Sequence, residues 1–171
     1  MADQIESYGG PSAVDQTGNL TIWAISGRTV SQSVPSAALL GGASCFRITY
    51  SFATGGWALT APQEKLSDLR LTSTKARESL GMITPALADI VYVDSTVSGS
   101  AAVVLVAGGE FQFIERRNVA QTTLAAAAQI VRVINVNLGT PAPGPTDGTG
   151  KFAITQAVAI DSMGALVALA V

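Results

Sequence analysis

The sequence predicts a mostly β fold: an antiparallel β-sandwich or barrel with one short α-helix and long loops. Three observations carry this reading. Segments such as Cys45–Phe52, Glu110–Arg117 and Gln129–Leu138 alternate with the period of two that a strand facing a core requires. Clusters of Gly and Pro separate them, most clearly GTPAPGPTDGTG at Gly139–Gly150, which cannot hold regular structure. No tandem repeat appears, so the chain reads as strands joined by turns and not as a solenoid.

Taken in order, residues 1–19 are polar and glycine-rich and read as an N-terminal arm. Leu20–Val30 (LTIWAISGRTV) predicts a strand through Ile22, Trp23 and Ile25. Val34–Gly42 carries a small helical pattern closed by Gly41 and Gly42. In Cys45–Phe52, Phe46, Ile48 and Tyr50 share one face of a predicted strand, and Gly55-Gly56 follows as a turn. Two long strands are expected over Lys65–Thr72 and Ile83–Asp94, joined by an exposed loop at Thr72–Gly81. Ser100–Ala107 suits a short helix, with Ser98 or Ser100 as its cap and Gly108-Gly109 as its stop, although AAVVLVA also suits a buried strand. Glu110–Arg117, Gln129–Leu138 and Lys151–Ile160 are predicted strands. Ala165–Val171 (ALVALAV) is apolar on both faces, which predicts a last strand covered from both sides.

Composition limits the function. The 171 residues are 48% hydrophobic and only 13% charged, with a mean hydropathy of +0.39. An average soluble domain carries about 25% charged residues, so surface burial beyond one chain is expected. A spanning helix needs about 20 consecutive apolar residues, and the longest runs here, Ala101–Gly109 and Thr123–Val133, are short or interrupted. Asp3 and Glu6 stand where a signal peptide would be basic. The formal net charge of −2 offers no basic surface to nucleic acid. Cys45 is alone, which excludes an internal disulfide and fits a small core residue in a reducing compartment.

Catalytic chemistry finds no support. The chain has no histidine, which removes the commonest general base, the commonest metal ligand and the Ser-His and Cys-His couples. The glycine-rich stretches at Gly9 and Gly139 lack the strand–loop–helix setting and the Lys-Ser/Thr of a phosphate loop. Asp94–Gly99 (DSTVSG) has too few carboxylates for calcium and reads as a capped turn. Arg116 and Arg117 are adjacent in a strand and face opposite ways, so they read as solvated or interface ion pairs. Trp23 and Trp57 read as core or interface rings, since the basic groove of a single-strand binder is missing. No enzyme activity, cofactor or metal is expected.

The succession of pieces resembles the major tail tube proteins of siphophages. EKLSDLRLTSTKARESLG is similar to the family's polar strand–loop segment, and ITPALADIVYV to the strand after it. A short helix, the strand GGEFQFIERRNV, a small-residue bend and IVRVINVNLG follow, then a Pro-rich loop, GTGKFAITQ and a terminal strand ending in Val. The match is strongest from about Leu66 onward and looser over the first 60 residues.

That resemblance implies a phage tail tube fold over residues 20–171 behind an arm at 1–19. It implies two packed sheets beside a helix, and hexameric rings stacked into a tube around a tape measure protein. The tube would end at the tail terminator and distal tail proteins, and its lumen would pass DNA without binding it. The location implied is the virion tail, assembled in the host bacterial cytoplasm, with no membrane. The acidic balance predicts a neutral or negative lumen. The loop Thr72–Gly81 is too polar for a core, and the resemblance implies that Thr72, Lys75, Arg77 and Glu78 contact the next ring. Other β-rich virion proteins, such as a tail terminator or head decoration protein, and a carbohydrate-binding or adhesion sandwich are the alternatives.

Overall fold

A computed structural model describes residues 14–68, 75, 77–145 and 150–171. In chain order its elements are β1 (Leu20–Ser26), α1 (Ala37–Leu40), β2 (Cys45–Arg47), β3 (Leu59–Thr60), β4 (Gln63–Asp68), β5 (Arg77–Ile83), β6 (Ala86–Leu87) and β7 (Ile90–Val93). There follow α2 (Ala101–Val104), β8 (Glu110–Arg117), β9 (Ile130–Leu138), β10 (Ala142–Gly144), β11 (Ala153–Gln156), β12 (Val158–Met163) and β13 (Val167–Ala168). The mostly β, antiparallel expectation holds, with two four-residue helices in place of one.

The large sheet runs β12-β9-β8-β1-β2, with β13 also on β9, and a second sheet runs β10-β11-β7. Their facing sides make the main core. Ile22 and Ala24 of β1, Phe111 and Phe113 of β8, and Ile134 and Val136 of β9 pack there with Ile90 and Tyr92 of β7. The opposite face of the large sheet is buried too. Trp23, Ile25, Ile114, Val131 and Val133 form a second core, closed by Leu40 of α1 and Leu169 near the C-terminus. Because both faces are covered, β8 is buried at every residue from Phe111 to Arg116. Its alternation therefore sorts side chains between two cores and not between core and solvent.

Arg116 corrects the reading of a solvated ion pair. It is fully buried on the second-core face. Its guanidinium stacks 5.1 Å from the Trp23 ring. Nη2 donates to Thr123 O at 2.9 Å and to Thr21 Oγ1 at 3.2 Å, and Nη1 donates to Gln129 Oε1 at 2.7 Å and to Leu124 O at 3.3 Å. Burial, and then the nearby Arg47 charge, lower its pKa. The cation thus organises the 118–129 loop through its carbonyls. Arg117, on the other face, pairs with Glu115 at 2.9 Å.

Other expectations shift for local reasons. The Cys45–Phe52 strand stops at Arg47 and turns through a 3-10 segment at Thr49–Ser51, leaving Tyr50 72% exposed. Thr49 Oγ1 accepts from Ile22 N at 2.7 Å and donates to Ile22 O, so a side chain takes over where the ladder would run. Ile83–Asp94 is not one strand: Ile83 ends β5, Pro85 stands between β5 and β6, and the chain breaks again at 88–89 before β7. Lys151–Ile160 also splits: β11 joins the small sheet and β12 the large one, with the crossing fixed by Gly139 N donating to Ala157 O at 2.8 Å. At α2, Ser100 occupies the cap position, yet its hydroxyl donates to Ser95 O. The C-terminal segment is strand only at β13, and Leu166 and Val171 are exposed, so cover on both sides is absent within one chain.

Candidate assembly surface

Residues 57–88 build a feature that neither sheet contains. β3 pairs with β6 through Leu59↔Leu87 and Thr60↔Ala86, and β4 pairs with β5 from Gln63↔Ile83 to Asp68↔Arg77. Thr84 N donates to Pro62 O at 3.0 Å between the two ladders, so the whole is one antiparallel ribbon. Pro62 and Pro85 sit at the joint, where each lacks an N–H to give a ladder.

The outer half of the ribbon is solvent-exposed on both faces. Every β4 residue but Asp68 and every β5 residue but Gly81 is exposed. Leu66, Leu80, Met82 and Ile83 are among them, Met82 at 73%. Lys65 Nζ lies 3.8 Å from Glu78 Oε2 with both side chains about 70% exposed, a pair of little energetic weight. Gly81 is closely packed: a Cβ there would lie 3.1 Å from Glu64 Cβ and 3.3 Å from Leu66 Cγ, so the neighbouring side chains would have to shift by a few tenths of an ångström. An isolated two-stranded ribbon is marginal in water, and one that also displays large apolar side chains calls for cover.

The root of the ribbon is held firmly. Trp57 is 6% exposed, stands edge-on to Phe113 with centroids 5.4 Å apart, and donates from Nε1 to Glu115 Oε1 at 2.9 Å. Glu115 is 2% exposed and takes the Arg117 guanidinium as its second partner. Just before the root, a Cβ on Gly56 would meet Val91 O at 2.1 Å, so only glycine lets the chain pass β7 so closely. Leu87 is buried where the ribbon returns. A cavity of about 440 Å³ opens beside this root, lined by Asp15, Asn19, Trp57, Leu59 and Arg117 among others.

Of the residues expected at an inter-ring contact, Lys75 is exposed, and Arg77 and Glu78 stand in β5 opposite Asp68 and Ser67. Thr72 lies outside the described residues. Arg77 and Glu78 therefore belong to a paired strand and not to a loop. The sequence reading missed Leu66, Leu80, Met82 and Ile83; Leu80 and Met82, two apart in RESLGMI, give a period-two signal, whereas Leu66 stands alone in QEKLSD. No group of acidic and cysteine residues that could hold a metal occurs among the described residues. No described helix is long and apolar enough to cross a membrane.

No curated protein matches the chain. A family described as "Phage tail tube protein" matches residues 10–171, nearly the whole length. A structural role in the virion tail accompanies that match, as does assembly with other phage tail proteins. On this match and a β-sandwich that projects an uncovered ribbon, the chain belongs to the phage tail tube protein family.

Proposed function

We propose that six copies of this chain close into a ring, that rings stack into the tail tube of a siphophage, and that the tube delivers DNA without binding it. The protein acts as structure and not as a catalyst, with residues 20–171 as the tube domain and 1–19 as an arm. The tape measure protein fills the growing lumen, the tail terminator and distal tail proteins close the ends, and assembly takes place in the bacterial cytoplasm. A lumen passing DNA is neutral or negative, in keeping with the chain's formal charge of −2.

The exposed ribbon is the observation that supports this reading best. Covering one large apolar side chain is worth about 1.5–3 kcal/mol, so burying Leu80 and Met82 against other subunits would offset the cost of ordering the ribbon. Thr72, Lys75, Arg77 and Glu78 contact the next ring, where charge pairing sets register.

Sedimentation of a Leu80→Asp/Met82→Asp variant tests the role of the ribbon. Both positions are exposed, so the subunit should fold and melt as wild type while failing to form tubes. Tubes of normal length from the variant would remove the ribbon from assembly.

A further inference from the structure

Three segments without a charged side chain converge on the second-core face of the large sheet. They are 29–46, 118–131 and 162–171. Backbone hydrogen bonds stitch them together: Ala37 N donates to Ala170 O at 3.0 Å, Ala170 N to Pro35 O at 2.8 Å, Ala128 N to Leu169 O at 2.9 Å and Leu169 N to Gln129 O at 2.9 Å. Val34, Leu39, Leu124, Leu166 and Val171 stand out from these segments at 62%, 46%, 84%, 59% and 99% exposure. Depletion of charge around exposed aliphatic side chains is the composition of an interface centre.

This platform is pre-shaped. Arg116 grips the 118–129 loop from below through the carbonyls of Ala120, Thr123 and Leu124. Asn118 and Ala128 hold φ of 60° and 67°, an uncommon conformation for residues other than glycine that persists where surroundings enforce it. A buried cation with no carboxylate among its hydrogen-bond partners is costly, and what it gains here is a fixed loop with Leu124 at its exposed turn.

A polymer of identical chains needs two different surfaces that fit each other, because a surface that pairs with itself closes a dimer. Among the described residues, two of the exposed apolar surfaces lie on opposite sides of the large sheet. One is the ribbon with Leu66, Leu80, Met82 and Ile83, whose root packs on the main core. The other is the platform, which lies over the second core on the opposite face of the large sheet. We infer that the uncharged platform of residues 34–40, 118–129 and 165–171 is the surface on which the β-ribbon of a neighbouring copy docks. This rests on the tube-forming reading and specifies where the ribbon lands.

Photo-crosslinking of assembled tubes tests it. Leu124→Cys in a Cys45→Ser background is labelled with a benzophenone maleimide, mixed with isotopically heavy chains, assembled and irradiated. The expected product joins residue 124 of one copy to residues 59–87 of another. Crosslinks from 124 to a second platform, or to any segment outside 59–87, overturn the inference, as does an absence of crosslinks in tubes that form. Leu124→Asp, at an exposed position, should leave the melting temperature unchanged while raising the critical concentration for assembly about tenfold or more. An unchanged critical concentration overturns the inference as well. If unmodified protein forms no tubes at all, the tube reading itself fails, which is a separate result.

Discussion

Trp57 Nε1 donates to Glu115 Oε1 across 2.9 Å of buried space, and this one bond ties the root of the ribbon to the central strand of the large sheet. Glu115 also receives Arg117, so its carboxylate is satisfied by an indole N–H and a guanidinium. Glu115→Ala leaves the indole donor buried and unmatched, which costs about 1–3 kcal/mol. Trp57→Phe keeps a ring against Phe113 but strips the carboxylate of its indole donor. Both variants should melt lower than wild type by denaturant or heat, and hydrogen exchange should rise first in β3 and β6. Unchanged exchange there would mean that the ribbon root is held by other contacts.

Arg116→Met should destabilise the fold by about 1–3 kcal/mol, because it leaves loop carbonyls and Gln129 Oε1 without their donor, and Arg116→Lys should recover little of it. Lysine presents one compact ammonium where the guanidinium fork reaches Thr21, Thr123, Leu124 and Gln129. Hydrogen exchange across residues 118–129 reports the loss directly. A lysine variant with native protection in that loop would contradict the role given to the fork.

At the C-terminus, Leu169 is 3% exposed in the second core while Leu166 is 59% exposed. Leu169→Ala should cost about 2–5 kcal/mol of stability, and Leu166→Asp should leave the isolated subunit's melting temperature nearly unchanged. Equal effects at the two positions would show that the terminal segment packs differently.

Tyr92 is buried and donates to Gln156 Oε1 at 3.0 Å. Burial, and then the charge of Asp94, push its pKa from 10.0 up to about 12. Between those values the folded chain keeps a proton that the unfolded chain has lost, so stability is full below about pH 10 and falls as pH rises towards 12. Cys45, raised by burial from 9.0 to about 12, acts in the same sense, so the comparison belongs in a Cys45→Ser background. There, Tyr92→Phe should flatten the alkaline decline in melting temperature. A slope unchanged by the substitution would exclude Tyr92 as its source.

The two central strands β8 and β9 were legible because their side chains alternate between two cores. Glu110–Arg117 was delimited as it stands, and Gln129–Leu138 to within one residue. Three things were not legible. Both faces of β8 are buried, so Arg116 reads as a surface charge until the 118–129 loop folds over it. The chain changes sheet at Ala157 and at residues 88–89, where it leaves the ribbon for β7, and a local pattern does not record which sheet a strand joins. The stretches 63–68 and 77–83 read as strand and loop because their large apolar residues face solvent within one chain. At the candidate surface, the resemblance singled out Lys75, Arg77 and Glu78 as expected contacts, while the exposure of Leu66, Leu80, Met82 and Ile83 emerged only with the fold.

Electron microscopy of the purified protein, concentrated at low salt and viewed both side-on and end-on, tests the central claim most directly. Tubes of stacked rings with sixfold symmetry are expected, lost in the Leu80→Asp/Met82→Asp variant. Dispersed monomers at high concentration, with melting behaviour of a folded domain, would contradict it.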